Sequence, residues 1–312
     1  MKPISIKETA GFIRNNDGFL VYCHAVPDAD TIGSACALVT IMRSLGKKAF
    51  AYSVDGIPKK LDFLPVEGVF VPSPLPGLIP VSVDIAGPKM LGNAEIPLFA
   101  LSIDHHKVNT IECERLCLLS DRIAAGEIVF MLADELGVAL DRQLALYLYT
   151  AICSDSGGFK YDLTTAETMR YAARALETGI DFAMINRRLF ESLTASQVAL
   201  IRCAYNKLQL LCGGKYAIVV ITKEEADECG VSDADFDCIY SVPREIEGVL
   251  ASAVIRPKNG GAKVSFRSNA DIDVAELAQR YGGGGHFHAA GLSLESGVEE
   301  AEALVKKIFS EL

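Results

Sequence analysis

The sequence predicts an α/β protein in two parts: an N-terminal domain around a mostly parallel sheet, and a smaller α/β C-terminal domain. Three observations carry this. Short apolar runs alternate with longer helical periods from the first strand onward, which is how strands joined by helical crossovers read. After Lys215 the pattern changes to short runs joined by a hairpin turn. The chain has 312 residues, 50% of them hydrophobic, enough for two cores at roughly 150 residues per domain.

In chain order, residues 19–23 (FLVYC) read as a strand and 31–45 (TIGSACALVTIMRSL) as a helix ended by Gly46. AFAYSV, PVSVDIA and PLFALSI are strand-like runs bounded by Pro, Gly or charge. AAGEIVFMLADELG and DRQLALYLYTAIC are helical by length and period, and the alternation implies helices on both faces of the sheet. Helix continues over 165–179 and in one long stretch over 182–211, ending at the CGGK turn. Beyond it YAIVVIT is a strand, VLASAVIR and AKVSFRS flank PKNGG as a hairpin, and VAELAQRYG is a short helix before a glycine run. The last segment, VEEAEALVKKIFSEL, places acids early and lysines late, as the helix dipole favours.

Composition narrows the function classes. Thirty basic against forty acidic residues give −10, which argues against a broad nonspecific grip on long nucleic acid. No apolar run approaches the ~18 residues that span a bilayer, and the N-terminal MKPISIKETAGFIRNNDG has no basic-then-apolar signal pattern. The nine cysteines are odd in number, lack CxxC and sit mostly in apolar segments, so buried thiols are expected rather than a disulfide framework or a zinc site. A soluble, cytoplasmic protein without membrane attachment is the expectation.

The acids and histidines are not scattered. His24, Asp28 and Asp30 lie in HAVPDAD directly after the first strand. Asp84 follows PVSV, Asp104, His105 and His106 follow PLFALSI, and Asp155 follows LALYLYTAIC. Loops at the carboxyl ends of strands line the ligand crevice of an open α/β sheet, so these side chains should converge. Any one Asp reads equally well as a helix cap or turn residue, but the whole set at element ends does not. Imidazole and carboxylate together suit Mn²⁺, Fe²⁺ or Zn²⁺ better than Mg²⁺ alone, and so many carboxylates in one place need cations between them. A pair of divalent ions about 3.5–4 Å apart meets that need and suits chemistry at phosphorus.

HAVPDAD, the Asp84 of SVDIA, SIDHH, SDSGGF and GGGGHFHAAG, in this order, resemble the motif series of the DHH phosphoesterase superfamily with its DHH-associated C-terminal domain. The compact layout is most similar to the NrnA-like oligoribonucleases and 3′,5′-bisphosphate nucleotide phosphatases. The resemblance implies a DHH metal-binding catalytic domain over 1–190, a helical linker over 191–213 and a DHH-associated nucleotide-binding domain over 214–312. It implies two Mn²⁺ ions or other divalent metals, one held by His24, Asp28 and Asp84 and one by Asp30, Asp84, His105 and Asp155, with Asp84 bridging; which ion Asp155 favours stays open. Asp104 would orient a histidine, and His106 would face the scissile phosphate.

In the second domain the resemblance places Arg267, Gly283, Gly284, Gly285 and His286 on the nucleotide end of the substrate, where glycines let backbone N–H groups approach a phosphate. Over 252–291 five basic residues face three acidic ones, a locally positive stretch on an acidic protein. His288 matches no position of the family pattern and reads as a bystander. The implied activity is a manganese-dependent hydrolase of short oligoribonucleotides, including linear diadenylate, or of 3′-phosphoadenosine 5′-phosphate. Two other readings share features of the sequence: an inorganic pyrophosphatase or exopolyphosphatase of the same superfamily, and a catalytically silent nucleotide-binding protein. The nucleic-acid module of RecJ-type exonucleases has no counterpart here, so short substrates are expected; the sequence leaves a homodimer open.

Overall fold

The structure is a computed structural model, described over residues 2–312. In the first part β1 (Lys2–Pro3), α1 (Ile6–Asn15), β2 (Phe19–Tyr22), α2 (Ala29–Ser44), β3 (Ala49–Tyr52), β4 (Ile79–Val83), β5 (Leu101–Asp104) and β6 (Arg115–Leu118) are followed by four helices. These are α3 (Ala125–Leu136), α4 (Arg142–Asp155), α5 (Ala166–Glu177) and α6 (Phe182–Asn186). The six strands form one sheet in the order β1-β6-β5-β4-β2-β3, every pairing parallel. The chain divides into two compact units, one ending at Ser192 and the other spanning Leu193–Leu312.

Alternation along β2 shows how the first sheet is covered. Phe19 and Val21 join the large core made with α1, α2, α3 and α4, whereas Leu20 and Tyr22 join a second cluster. That second cluster is built from Ile85, Leu91, Phe99, Ile111 and Cys113, none of them on an α-helix. Helices on both faces, as expected from alternation, are therefore not what forms: the second face is covered by irregular chain. Residues 84–100 carry too many Pro and Gly breaks to sustain a helix.

The second unit contains α7 (Ala195–Asn206), β7 (Gln209–Leu211), β8 (Tyr216–Val220), α8 (Lys223–Cys229), β9 (Ala251–Lys258) and β10 (Gly261–Ser268). It closes with α9 (Val274–Gln279), β11 (Gly284–His286), β12 (Ala289–Leu294) and α10 (Val298–Ser310). Its sheet runs β11-β12-β10-β9-β8-β7, antiparallel except for the β8–β9 pair. α9 and α10 bury one face, with Phe309 stacked on Tyr216. On the other face α7, α8, Phe236 and Ile239 cover Val219 and Val254.

The long helix expected over 182–211 is interrupted. α6 gives way to a wider turn over Arg187–Glu191, Ser192 is extended, and Thr194 starts α7 afresh with a capping box to Gln197. The residues after α7 extend into β7. α7, expected in a linker, packs through Leu200 and Ala204 into the core of the second unit. Of the run GGGG, Gly282 stays in a turn, and only Gly284 and Gly285 enter edge strand β11. Among the described residues no helix is long and apolar enough to cross a membrane.

Candidate metal centre

Several of the acidic side chains singled out in the first unit are placed by a local cause. Asp28 is the N-cap of α2, its Oδ1 accepting the N–H of Thr31 at 3.0 Å. Asp84, just beyond β4, has φ 60°, a left-handed conformation that Asp tolerates better than most residues. Asp104 ends β5 and Asp155 ends α4.

Asp30 is placed by a helix other than its own. α3 opens on Ala124, Ala125 and Gly126 with no side-chain cap, leaving N–H groups that need an acceptor. The fully buried Asp30 supplies it: Oδ2 accepts from Ala125 N at 2.7 Å, and Oδ1 from Gly126 N at 2.9 Å and Ser34 Oγ at 3.0 Å. Gly126 permits this approach, because a Cβ there would meet the Cβ of Ala151 at 2.6 Å.

Two histidines face the carboxylates with the same ring nitrogen. His24 Nδ1 donates to the carbonyl of Ala25 at 2.8 Å and His105 Nδ1 to the carbonyl of Arg122 at 3.2 Å, which directs each Nε2 to the acids. His24 Nε2 lies 3.7 Å from Asp28 and 3.6 Å from Asp84 Oδ2. His105 Nε2 lies 3.4 Å from Asp84 Oδ1, 3.6 Å from Asp155 and 3.7 Å from Asp30. His24, Asp28 and Asp84 thus form one group and Asp30, His105 and Asp155 another, each with donor atoms within 4.8 Å of one another, and Asp84 reaches a histidine of both.

The donor set fits divalent ions. Separations of 3.4–3.7 Å exceed good hydrogen bonds. They approach the roughly 3.0–3.5 Å edges of a coordination polyhedron with bonds of about 2.1 Å. Asp84 Oδ1 is buried and has no hydrogen-bond partner among the described residues, an unmet acceptor of the kind a cation satisfies. Charge tells the same story. Burial lifts the Asp30 carboxyl to about 7, aided by Asp84 and opposed by His105. Burial lifts Asp155 well above the carboxylate range, aided by Asp30 and Asp28. Burial also favours neutral His24, yet Asp28 and Asp84 outweigh it and push its imidazole up to about 11. Without cations, protons must neutralise this cluster.

His106 is held differently. Its Nδ1 donates to Asp104 Oδ1 at 2.7 Å, and Asp104 Oδ2 accepts from Asn109 Nδ2 at 2.7 Å, a side chain that also donates to the carbonyl of Ile85. His106 Nδ1 is 3.7 Å from Asp84 Oδ1, but that nitrogen is already engaged by Asp104. Burial opposes the imidazolium and Asp104, then Asp84, favour it, with a net rise in pKa.

In the second unit Arg267 lies on β10, its Nη1 donating to the carbonyl of Phe266 at 2.9 Å. Gly283 and Gly285 serve the sheet itself: a Cβ at either would meet a β12 carbonyl, at 2.4 Å from Gly291 and 2.5 Å from Ala289. Gly284 has nothing within 4 Å of such a Cβ. His286 pairs with Ala289 in β11, and its side chain lies outside the described atoms. The backbone carbonyl of His288 accepts from Ser268 N.

Sequence reasoning missed Asn109, Ser34 and the Arg122 carbonyl, which orient the others. Only the uncapped AAGE start of α3 carried a signal, since exposed helix N–H groups demand an acceptor from elsewhere.

Residues 18–152 match the DHH family, N-terminal domain, and residues 213–312 the DHHA1 domain. A "bifunctional oligoribonuclease and PAP phosphatase NrnA" of Thermus thermophilus is 31% identical over 87% of this chain and 82% of its own length. A protein of the same description from Bacillus subtilis is 25% identical over 90% of each chain. The crystal structure of an exopolyphosphatase-related protein from Bacteroides fragilis shares the fold, with a TM-score of 0.88 at 22% identity over 98% of this chain and 95% of that one.

Proposed function

Because the chain belongs to the DHH family of phosphoesterases and carries a DHHA1 domain, we propose that it is a manganese-dependent hydrolase of short oligoribonucleotides and of 3′-phosphoadenosine 5′-phosphate. The observation that carries this reading is the position of Asp84. One buried carboxylate stands 3.6 Å from His24 and 3.4 Å from His105, with an oxygen that no hydrogen bond satisfies among the described residues. His24, Asp28 and Asp84 would hold one ion and Asp30, Asp84, His105 and Asp155 a second. Ions so held supply charge neutralisation for a phosphoryl group and acidify a water.

The remaining roles fall to the protein. Ala25 and Arg122 fix the tautomers of the two ligand histidines through their carbonyls. Asp104, itself steadied by Asn109, fixes Nδ1–H of His106 and favours its imidazolium, whose Nε2–H would be the proton given to a phosphate oxygen or to the departing oxygen. The relatives from Thermus thermophilus and Bacillus subtilis are named for oligoribonuclease and PAP phosphatase activity, which supports a nucleotide substrate; Arg267, Gly284, Gly285 and His286 would hold it, whereas the Gly283 N–H is already taken by the Ala278 carbonyl at 2.9 Å. Five buried thiols support a cytoplasmic setting.

The test is turnover of the purified protein with Mn²⁺, with Mg²⁺ and after chelation. The panel holds 3′-phosphoadenosine 5′-phosphate, linear and cyclic diadenylate, RNA of two to about twenty nucleotides, pyrophosphate and polyphosphate. Hydrolysis of the bisphosphate or of the shortest RNAs, enhanced by Mn²⁺, is expected. Faster turnover of pyrophosphate or polyphosphate than of any nucleotide overturns the reading.

A further inference from the structure

We propose that Tyr240 and Arg256 are positioning residues for Arg267, setting where that guanidinium meets the phosphate of a nucleotide. The inference rests on the reading of Arg267 given above. Arg256, on β9, is only 4% exposed. A charge so buried needs partners, and it has them: Nη1 donates to Asp233 Oδ1 at 2.9 Å and to the carbonyl of Pro257 at 3.1 Å, and the guanidinium lies 4.8 Å from the Phe236 ring centroid. Its Nε donates to the hydroxyl of Tyr240 at 3.3 Å. Tyr240 belongs to no strand or helix; its ring packs against the core that α7 and α8 cover, and this hydrogen bond fixes its hydroxyl end. The Tyr240 ring in turn lies 5.2 Å from the Arg267 guanidinium carbon.

Asp233, Arg256, Tyr240 and Arg267 therefore form one line of contacts within the second unit. Stacking on an aromatic ring engages the face of a guanidinium and limits its rotamers, while phosphate recognition uses its in-plane N–H groups. An arginine ordered before binding loses less entropy when the phosphate arrives. Ser252 stands opposite Arg267 in the β9–β10 register and keeps a buried Oγ with no hydrogen-bond partner among the described residues.

Calorimetric titration of adenosine 5′-monophosphate into the full-length, manganese-supplied protein tests the line as a double-mutant cycle. Arg267→Ala is expected to weaken binding about tenfold or more, Tyr240→Leu about five- to tenfold, and Tyr240→Phe, which keeps the ring but loses the Arg256 contact, about two- to threefold. Both Tyr240 effects should vanish in the Arg267→Ala background. If the Leu variant fails to melt cooperatively, the Phe variant carries the cycle alone. Wild-type binding by the Tyr240 variants, or weakening that persists without Arg267, overturns the inference. Wild-type binding by Arg267→Ala is a different outcome, and overturns the reading of Arg267 itself.

Discussion

Asp30 Oδ1 accepts the backbone N–H of Gly126 at 2.9 Å, so a carboxylate of the candidate metal centre also caps a helix that begins 95 residues later. Stability and activity are thereby tied to one side chain. Gly126→Ala is expected to push α3 off Asp30, since its Cβ would overlap Ala151. Overpacking of this kind costs roughly 1–3 kcal/mol, or several degrees in Tm, and activity should fall with it. Adding Ala151→Gly should return activity more fully than stability, because glycine inside α4 has its own cost of about 1 kcal/mol. Thermal melts and turnover of the three variants check this; full activity in Gly126→Ala alone would show that Asp30 is not held by α3.

Asp84→Ala should lower turnover by about a thousandfold or more, the scale on which an essential group reads out, and should lower bound metal as well. Elemental analysis after dialysis against Mn²⁺ gives the second readout. Two ions per chain retained together with near-normal turnover would sink the bridging role.

The Asp104–His106 hydrogen bond predicts a shift in pH profile. The Asp104 carboxylate raises the His106 pKa, so its removal lowers it, and the protonated imidazole is lost at lower pH. In Asp104→Asn the alkaline limb of kcat should move toward lower pH, with kcat itself reduced about 10²-fold or more. A profile that keeps its alkaline limb in place would show that His106 does not act in its protonated form.

Rate should fall by at least about tenfold as RNA lengthens from two to twenty nucleotides, because a chain of net charge −10 offers little counter-charge to a long polyanion. A time course on 5′-labelled RNAs of two, five and twenty nucleotides at fixed salt measures it. Equal rates, or processive loss of the twenty-mer, would point to a nuclease of long strands.

The strands and helices nearest the centre were legible from residue patterns, because apolar period and turn residues act locally. FLVYC, TIGSACALVTIMRSL and DRQLALYLYTAIC became β2, α2 and α4 within a residue or two at most ends. The short elements were not legible: β1, β6 and β7 have two to four residues each and form only because a neighbouring strand offers partners. The same holds for 182–211, where a helical composition is broken by the capping of α7 at Thr194.

Which residue types gather at the carboxyl ends of the strands was a property of the sequence, since Asp104 and Asp155 end their own elements, His24, Asp84, His105 and His106 stand just beyond strands, and Asp28 and Asp30 open α2. How they divide was decided in three dimensions. Whether Asp30 faces His105 or His24 depends on the N-terminus of α3, and whether His105 or His106 turns its Nε2 to the acids depends on the Arg122 carbonyl and on Asp104. Tyr240 gave no signal in the chain, because its place depends on packing in the second unit's core and on a buried arginine of β9. Periodicity and capping are encoded within a few residues, whereas hydrogen bonds between segments a hundred residues apart exist only once both have packed.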